Sequence, residues 1–257
     1  MLRSRVIPCL LVHNKGLVKT VKFKSPKYVG DPINAVKIFN EKEVDELIVL
    51  DIDATVNGVE PNYKMIEHLA NESRMPLCYG GGVKTAAQAQ KIIKLGVEKV
   101  AISSEAVSNP ELLSEIASII GRQSVVVVID VKKSLFGSYE IYSHNGKRKV
   151  KRNLFEFIAE LESIGIGELV INSIDNDGVM KGYDLALIKK VRDCVNLPLT
   201  VLGGAGSVDD IINLIDEYKI IGASAGSLFV FKGIYKAVLI SYLPDLILNK
   251  IRLISKR

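Results

Sequence analysis

The chain has 257 residues, 48% of them apolar, and a formal net charge of +5. That composition can bury a large core and excludes a disordered or low-complexity chain. No apolar run approaches the roughly 20 residues that span a bilayer, and the N-terminus lacks a charged-then-apolar leader, so a cytoplasmic protein without a membrane partner is expected. Cys9, Cys78 and Cys194 lie in or beside apolar runs without ligand or disulfide spacing. They are expected to be buried reduced thiols, with no metal and no cofactor. The lysines are scattered among acidic residues without a basic stripe, which argues against nucleic acid and leaves anionic small molecules as ligands.

In chain order, "VIPCLLV" (6–12) reads as a strand and "DPINAVKIFNEKEV" as a helix, with Asp31 as N-cap and Pro32 at the first helical position. "ELIVLDID" (46–53) and "PLCYGGG" (76–82) follow as strands, then "TAAQAQKIIKLG" as a helix capped by Thr85 and ended by Gly96. The remaining strand-like runs are "KVAISS" from Lys99, "VVVVIDV" from Val125, "ELVINSI" from Glu168, "LTVLGGAG" from Leu199 and "IIGASAG" from Ile220. Strands that are apolar throughout and separated by helices imply a parallel sheet covered on both faces. About eight such units in one domain, residues 1–257, predict an α/β fold of the (β/α)8 TIM-barrel type.

The chain also repeats by halves. Glu46 aligns with Glu168 at an offset of 122, the glycine-rich strand ends from Tyr79 and Leu202 align at 123, and Val6 aligns with Val125 at 119. Two duplicated half-barrels explain these offsets, whereas an open doubly wound sheet explains neither the duplication nor the strand number. The alignment sets Leu11 opposite Asp130.

Barrel strands alternate inward and outward. If Asp130 points inward at the C-terminal mouth, the same phase runs through Arg5, Ile7, Cys9 and Leu11, and it begins the second, fourth and sixth strands with Glu46, Lys99 and Glu168. These two cations and two anions would meet at the bottom of the barrel as a ring closing an axial passage. Solvated ion pairs at strand entrances, each worth little, fit the same parity.

Two glycine-rich strand ends, Gly80–Gly82 and Gly203–Gly206, are each followed one strand later by a small polar turn: Ser103 and Ser104, then Gly226 and Ser227. Backbone amides in such turns hold phosphate. Tight turns use glycine pairs too, but two symmetry-related copies predict two phosphate sites with a ligand lying across the mouth. Asp51, Asp53, Asp130, Asp175 and Asp177 stand at strand ends, where general acids and bases belong. Asp51, Asp53 and Asp175 also suit loop capping, while Asp130 is an inward carboxylate that is costly to bury without a purpose. His13 and His144 fall in polar loops and His68 on a helix, all read as surface positions.

Taken together, "RVIPCLL", "GLVKTVKF", "GDP", "DELIVLDIDA", "YGGGVKT", "GVEKVAISSEA", "VVVVIDVKK", "GELVINSIDNDGVMKGYD", "LGGAGS" and "AGSLFVF" resemble the HisF family, the cyclase subunit of imidazole glycerol phosphate synthase, to about residue 232. The resemblance implies a substrate with a phosphate at each end. It also implies a heterodimer with a HisH-like glutaminase docked on the barrel bottom, sending ammonia through the axis. On that resemblance Asp130 matches one of two catalytic aspartates and Lys19 a mobile-loop lysine that helps close the site. Arg5, Glu46, Lys99 and Glu168 match the ammonia gate. Gly82, Ser103 and Ser104 match one phosphate site, and Gly178, Gly204, Gly226 and Ser227 the other.

The second catalytic aspartate falls on Leu11, which can neither donate nor accept a proton. A barrel that keeps the gate and lacks that acid resembles the HisF-like paralogues of surface-polysaccharide (O-antigen, lipopolysaccharide) clusters. Those work with a HisH-like glutaminase and a sugar amidotransferase that converts an acetamido into an acetamidino group. The expected function is therefore an ammonia-receiving barrel of a glutamine-dependent amidotransferase system. The alternatives are a histidine-biosynthesis cyclase in which Asp51 covers for Leu11, and a barrel that only docks and activates the glutaminase. The tail from Tyr235 reads either as a partner surface or as a final barrel helix with a basic end.

Overall fold

The computed structural model describes residues 3–255. Its strands in chain order are β1 (Arg5–His13), β2 (Gly16–Val21), β3 (Lys24–Gly30), β4 (Leu47–Asp51), β5 (Leu77–Gly80), β6 (Lys99–Ile102) and β7 (Val125–Lys133). They continue with β8 (Tyr139–Ser143), β9 (Arg148–Asn153), β10 (Glu168–Ser173), β11 (Leu199–Leu202), β12 (Gly222–Ala225), β13 (Phe231–Lys232) and β14 (Ala237–Val238). Eight of them run parallel in the order β1-β4-β5-β6-β7-β10-β11-β12. The sheet closes where Arg5 of β1 lies beside Gly222 of β12, giving a (β/α)8 barrel with helices between strands.

Local chemistry starts the helices where the sequence predicts. Asp31 accepts the amide of Asn34 at 3.0 Å with Pro32 behind it, and Thr85 forms a reciprocal capping box with Gln88. Apolar residues then fill two layers. Outward strand residues such as Leu10, Tyr79 and Ile129 pack on the helices. Ile7, Cys9, Ile48, Cys78, Ala101, Val126, Val128, Val170 and Leu202 fill the barrel interior, with Leu11 and Leu50 above them. The inward phase is therefore the one the alternation predicts.

Three antiparallel additions lie outside the predicted strands. β2 and β3 form a hairpin on the C-terminal end of β1, with Leu11 opposite Val18. β8 and β9 form another on the end of β7, with Asp130 opposite Tyr142, and β13 pairs with β14 after β12. Segments such as "KSPKYVG" and "RKVKRN" contain no apolar run, and only pairing with a neighbouring strand makes them extended. The hairpins bring Lys19, Arg148 and Lys149 to the cavity at the barrel mouth, where Asp51, Glu105, Asp130 and Asp177 stand among them. One correction concerns Cys194: Cys9 and Cys78 are buried, but Cys194 is exposed. It lies in the turn after the helix Leu185–Arg192, where Val195 and Leu197 take the inward positions.

The tail folds as the helix Asp245–Ile254, burying Leu248 and Ile251 and exposing Leu246 and Leu253. Among the described residues no helix is long and apolar enough to cross a membrane.

Candidate active site at the barrel mouth

The four in-phase charges meet at the barrel bottom. Lys99 Nζ lies 2.8 Å from Glu46 Oε2 and 2.8 Å from Glu168 Oε2. Arg5 donates to Glu168 Oε1 at 2.7 Å and also to Glu46. Both carboxylates are buried, and the cations keep about a fifth of their side-chain surface exposed. The ring is thus not a set of solvated pairs. Burial opposes the charge on Glu168, but Arg5 and Lys99 outweigh it and hold the carboxyl below the usual range. The same balance raises Arg5 and Lys99: burial works against each cation, and the two glutamates overcome it. A fifth member was missed in the sequence. Thr200, fully buried at the start of β11, donates its hydroxyl to Glu168 Oε1 at 2.5 Å. It shares inward parity with Leu202, which is the signal that finds it.

At the other end a cavity of about 640 Å³ opens. Asp130 on β7 and Leu11 on β1 face each other across it, four strands apart in a ring of eight. Asp130 accepts from Asn172 Nδ2 at 2.9 Å on the adjacent β10. Burial pushes its pKa up to about 7, against the Asn172 hydrogen bond and with help from the Asp177 charge. Leu11 sits beside Leu50 on β4, so the first half-barrel has an apolar pair where the second has Asp130 and Asn172.

Lys19 lies in β2 and not in an irregular loop. It is buried, donates to the carbonyl of Cys9 and has its pKa lowered by burial. Asp177 holds this hairpin down: its carboxylate accepts from the Thr20 hydroxyl at 2.7 Å and the Phe23 amide at 3.2 Å, and its carbonyl accepts from the Lys22 amide at 2.9 Å. That latching role was not separable in the sequence from the other strand-end aspartates. Those do cap loops. Asp51 accepts the amides of Asp53 and Ala54, Asp53 that of Asn14, and Asp175 that of Lys133.

The two glycine-rich cradles lie diametrically opposite, on β5–β6 and β11–β12. Gly82, Ser103 and Ser104 line one side of the cavity, and Gly178, Gly204, Gly226 and Ser227 the other. Gly204, at φ +117°, has no room for a side chain, because a Cβ would fall 2.1 Å from the Gly182 carbonyl. A Cβ on Gly226 would meet Lys19 Nζ at 2.6 Å, so the ammonium stands over that cradle. On the first side His144 lines the cavity and donates its amide to Ser104 Oγ at 3.3 Å. Its pKa is lowered by burial and by the nearby Arg148 and Lys84 cations. His13 instead pairs with Asp53 at 2.6 Å.

The Asp130 carboxyl carries a pH signature. Its folded pKa of about 7 exceeds the unfolded value of about 3.9, so the folded state holds the proton longer. Its contribution to stability falls as pH rises from about 4 to about 7 and is level above that. Asp130→Asn removes the penalty of the buried charge while keeping an acceptor for Asn172. Thermal melts should show the variant clearly more stable than wild type at pH 8, less so at pH 5 and little different at pH 4.

The fold and the mirrored cradles define a (β/α)8 barrel of two related halves with its polar groups at the C-terminal mouth. The family described as histidine biosynthesis protein matches residues 5–236. The chain is 60% identical over 243 residues, 94% of each chain, to a Vibrio vulnificus protein provisionally named imidazole glycerol phosphate synthase subunit hisF3. It is 54% identical over 95% of its length and 97% of the relative's to a Pseudomonas aeruginosa protein provisionally named subunit hisF2. To the imidazole glycerol phosphate synthase subunit HisF of Exiguobacterium sibiricum it is 40% identical, over 82% and 84% of the two chains. The chain belongs to the HisF family.

Proposed function

We propose that this chain is a HisF-type synthase subunit that receives ammonia from a HisH-like glutaminase at its bottom face and delivers it at the mouth to an acceptor held by a partner enzyme. That partner is a sugar amidotransferase turning an acetamido into an acetamidino group in surface-polysaccharide synthesis. The observation that carries the reading is a contrast within one barrel. The ring of Arg5, Glu46, Lys99 and Glu168 is complete, and the interior above it is lined by apolar groups and two thiols, whereas Leu11 leaves Asp130 without a facing carboxylate. Ring closure in a cyclase needs paired proton transfer, whereas conduction of a small neutral molecule does not. Lys19 and Asp130 keep their places as mouth groups that bind and orient an anionic ligand.

The second reading is a cyclase of histidine biosynthesis in which Asp51 takes the missing role. It is favoured by the position of Asp51 on the cavity wall and by its pKa, which burial raises against two backbone hydrogen bonds. Those bonds engage Oδ1 and fix the group as a loop cap.

The test of the first reading is a titration of a purified HisH-like glutaminase with this chain. Its glutamine hydrolysis should rise and saturate at one barrel per glutaminase, and Lys99→Met should uncouple hydrolysis from amidination by the third enzyme. No stimulation at any ratio would remove the ammonia assignment. Both cradles should also bind phosphate. Inorganic phosphate or a sugar bis-phosphate at 100 times its Kd should add about 2.7 kcal/mol of stability, seen as a rise in melting temperature. Without any shift at millimolar ligand, the cradles are turns only.

A further inference from the structure

The mouth carries a feature that neither ammonia transfer nor phosphate binding uses. Two hairpins project from this end of the barrel, and each presents an apolar pair at its tip. Leu135 and Phe136 top the β7–β8 hairpin with relative exposures of 102% and 98%, and Ile234 and Tyr235 top β13–β14 with 87% and 88%. Lysines flank both pairs: Lys132 and Lys133 on the first stem, Lys232 and Lys236 on the second, all exposed. Neither 131–139 nor 231–238 contains an acidic residue. The second hairpin is fixed to the mouth by Lys27, which donates to the Lys236 carbonyl at 3.4 Å and stacks over Phe231 at 5.1 Å.

Electrostatic steering of an anionic substrate accounts for lysines around a mouth. It does not account for two adjacent large apolar side chains held fully in water at each tip, the kind of exposed apolar surface that marks an interaction site. The chemistry of the pattern is an apolar wedge with a cationic collar, repeated on separate thin projections. A protein interface core joins its apolar residues into one packed patch, whereas here the two pairs stand on different hairpins with lysines around each. A fluid surface with an apolar interior and anionic headgroups fits both parts at once. We infer that the mouth end of the barrel docks reversibly on an anionic lipid bilayer, the Leu135–Phe136 and Ile234–Tyr235 tips entering the headgroup–acyl boundary and the flanking lysines meeting lipid phosphates. Peripheral docking of this kind needs no membrane-spanning helix.

The sequence contains no tryptophan, so Phe136→Trp places a single fluorescent reporter at one tip. The full-length variant is mixed with vesicles of phosphatidylcholine and phosphatidylglycerol in equal parts, and with phosphatidylcholine vesicles alone. The proposal predicts a blue shift and co-sedimentation with the mixed vesicles and much weaker binding to the neutral ones. Changing all four tip residues to serine should weaken binding about tenfold or more, with circular dichroism unchanged because the tips pack against nothing. Absence of both shift and co-sedimentation with the mixed vesicles would overturn the proposal. So would serine variants that bind as well as wild type, since adsorption would then be by charge alone. Equal binding to neutral vesicles would overturn the anionic-lipid assignment. A protein that ignores vesicles but binds polyglutamate or a single-stranded oligonucleotide through the same lysines would place an acidic macromolecule at the mouth instead.

Discussion

Glu168→Ala should cost about 3–5 kcal/mol of folding stability, the loss typical of breaking a buried ion pair from one side. Three donors converge on this carboxylate: Arg5, Lys99 and the Thr200 hydroxyl. Alanine leaves Arg5 and Lys99 to share Glu46 alone, with two cations against one anion at a closed barrel floor. The exposed pair of Lys37 and Glu72, 3.8 Å apart, is the control, and Lys37→Ala should change stability by less than about 1 kcal/mol. The sign of the pH dependence follows from Glu168 being held below its usual range. Its contribution is present at neutral pH and is lost as pH falls through that lowered pKa, so the wild type should lose stability in acid more steeply than Glu168→Ala. Denaturant melts across pH measure both quantities. A loss under about 1 kcal/mol would mean that water fills the ring.

Leu11→Asp should create ammonia-dependent cyclase activity that is detectable and well short of a two-carboxylate barrel. The new group would face Asp130 across the mouth, with both cradles and Lys19 unchanged. It would stand beside Leu50 and opposite Val18, in surroundings shaped for an isobutyl group, so its pKa should be raised by desolvation. Losing the leucine and partly burying a polar group should also cost about 1–3 kcal/mol. A folded variant that binds the bis-phosphate substrate without any gain in rate would show that the mouth differs from a cyclase by more than Leu11.

What was legible in the sequence was what periodicity controls. The inward phase of β1 and β7 put Arg5, Leu11 and Asp130 on one face, and Ile7, Cys9, Val126 and Val128 of the same phase fill the barrel interior between them. The helix starts at Asp31 and Thr85 were legible because capping is local. The hairpins were not, since "KSPKYVG" and "RKVKRN" become strands only by pairing with neighbours. With them went the burial of Lys19 and the latch at Asp177. Cys194 was misread because closeness in sequence to an apolar run says nothing about which side of a turn faces water. Thr200 was within reach, since parity with Leu202 turns it inward, but a hydroxyl seeking a carboxylate from β10 is a contact between strands and not a pattern along one.

The most direct measurement is turnover of the bis-phosphate cyclase substrate by the purified wild-type chain in saturating ammonium salt, with no glutaminase present. On the proposed route ammonia enters through the bottom ring, which added ammonium bypasses, so only the chemistry at the mouth is read. If Leu11 takes the place of a proton-transfer group, as proposed, the rate should lie on the order of 10²–10⁴ below that of a barrel carrying both carboxylates. Turnover of roughly one per second or faster, within the ordinary range for enzymes, would contradict the account and make this chain a working cyclase.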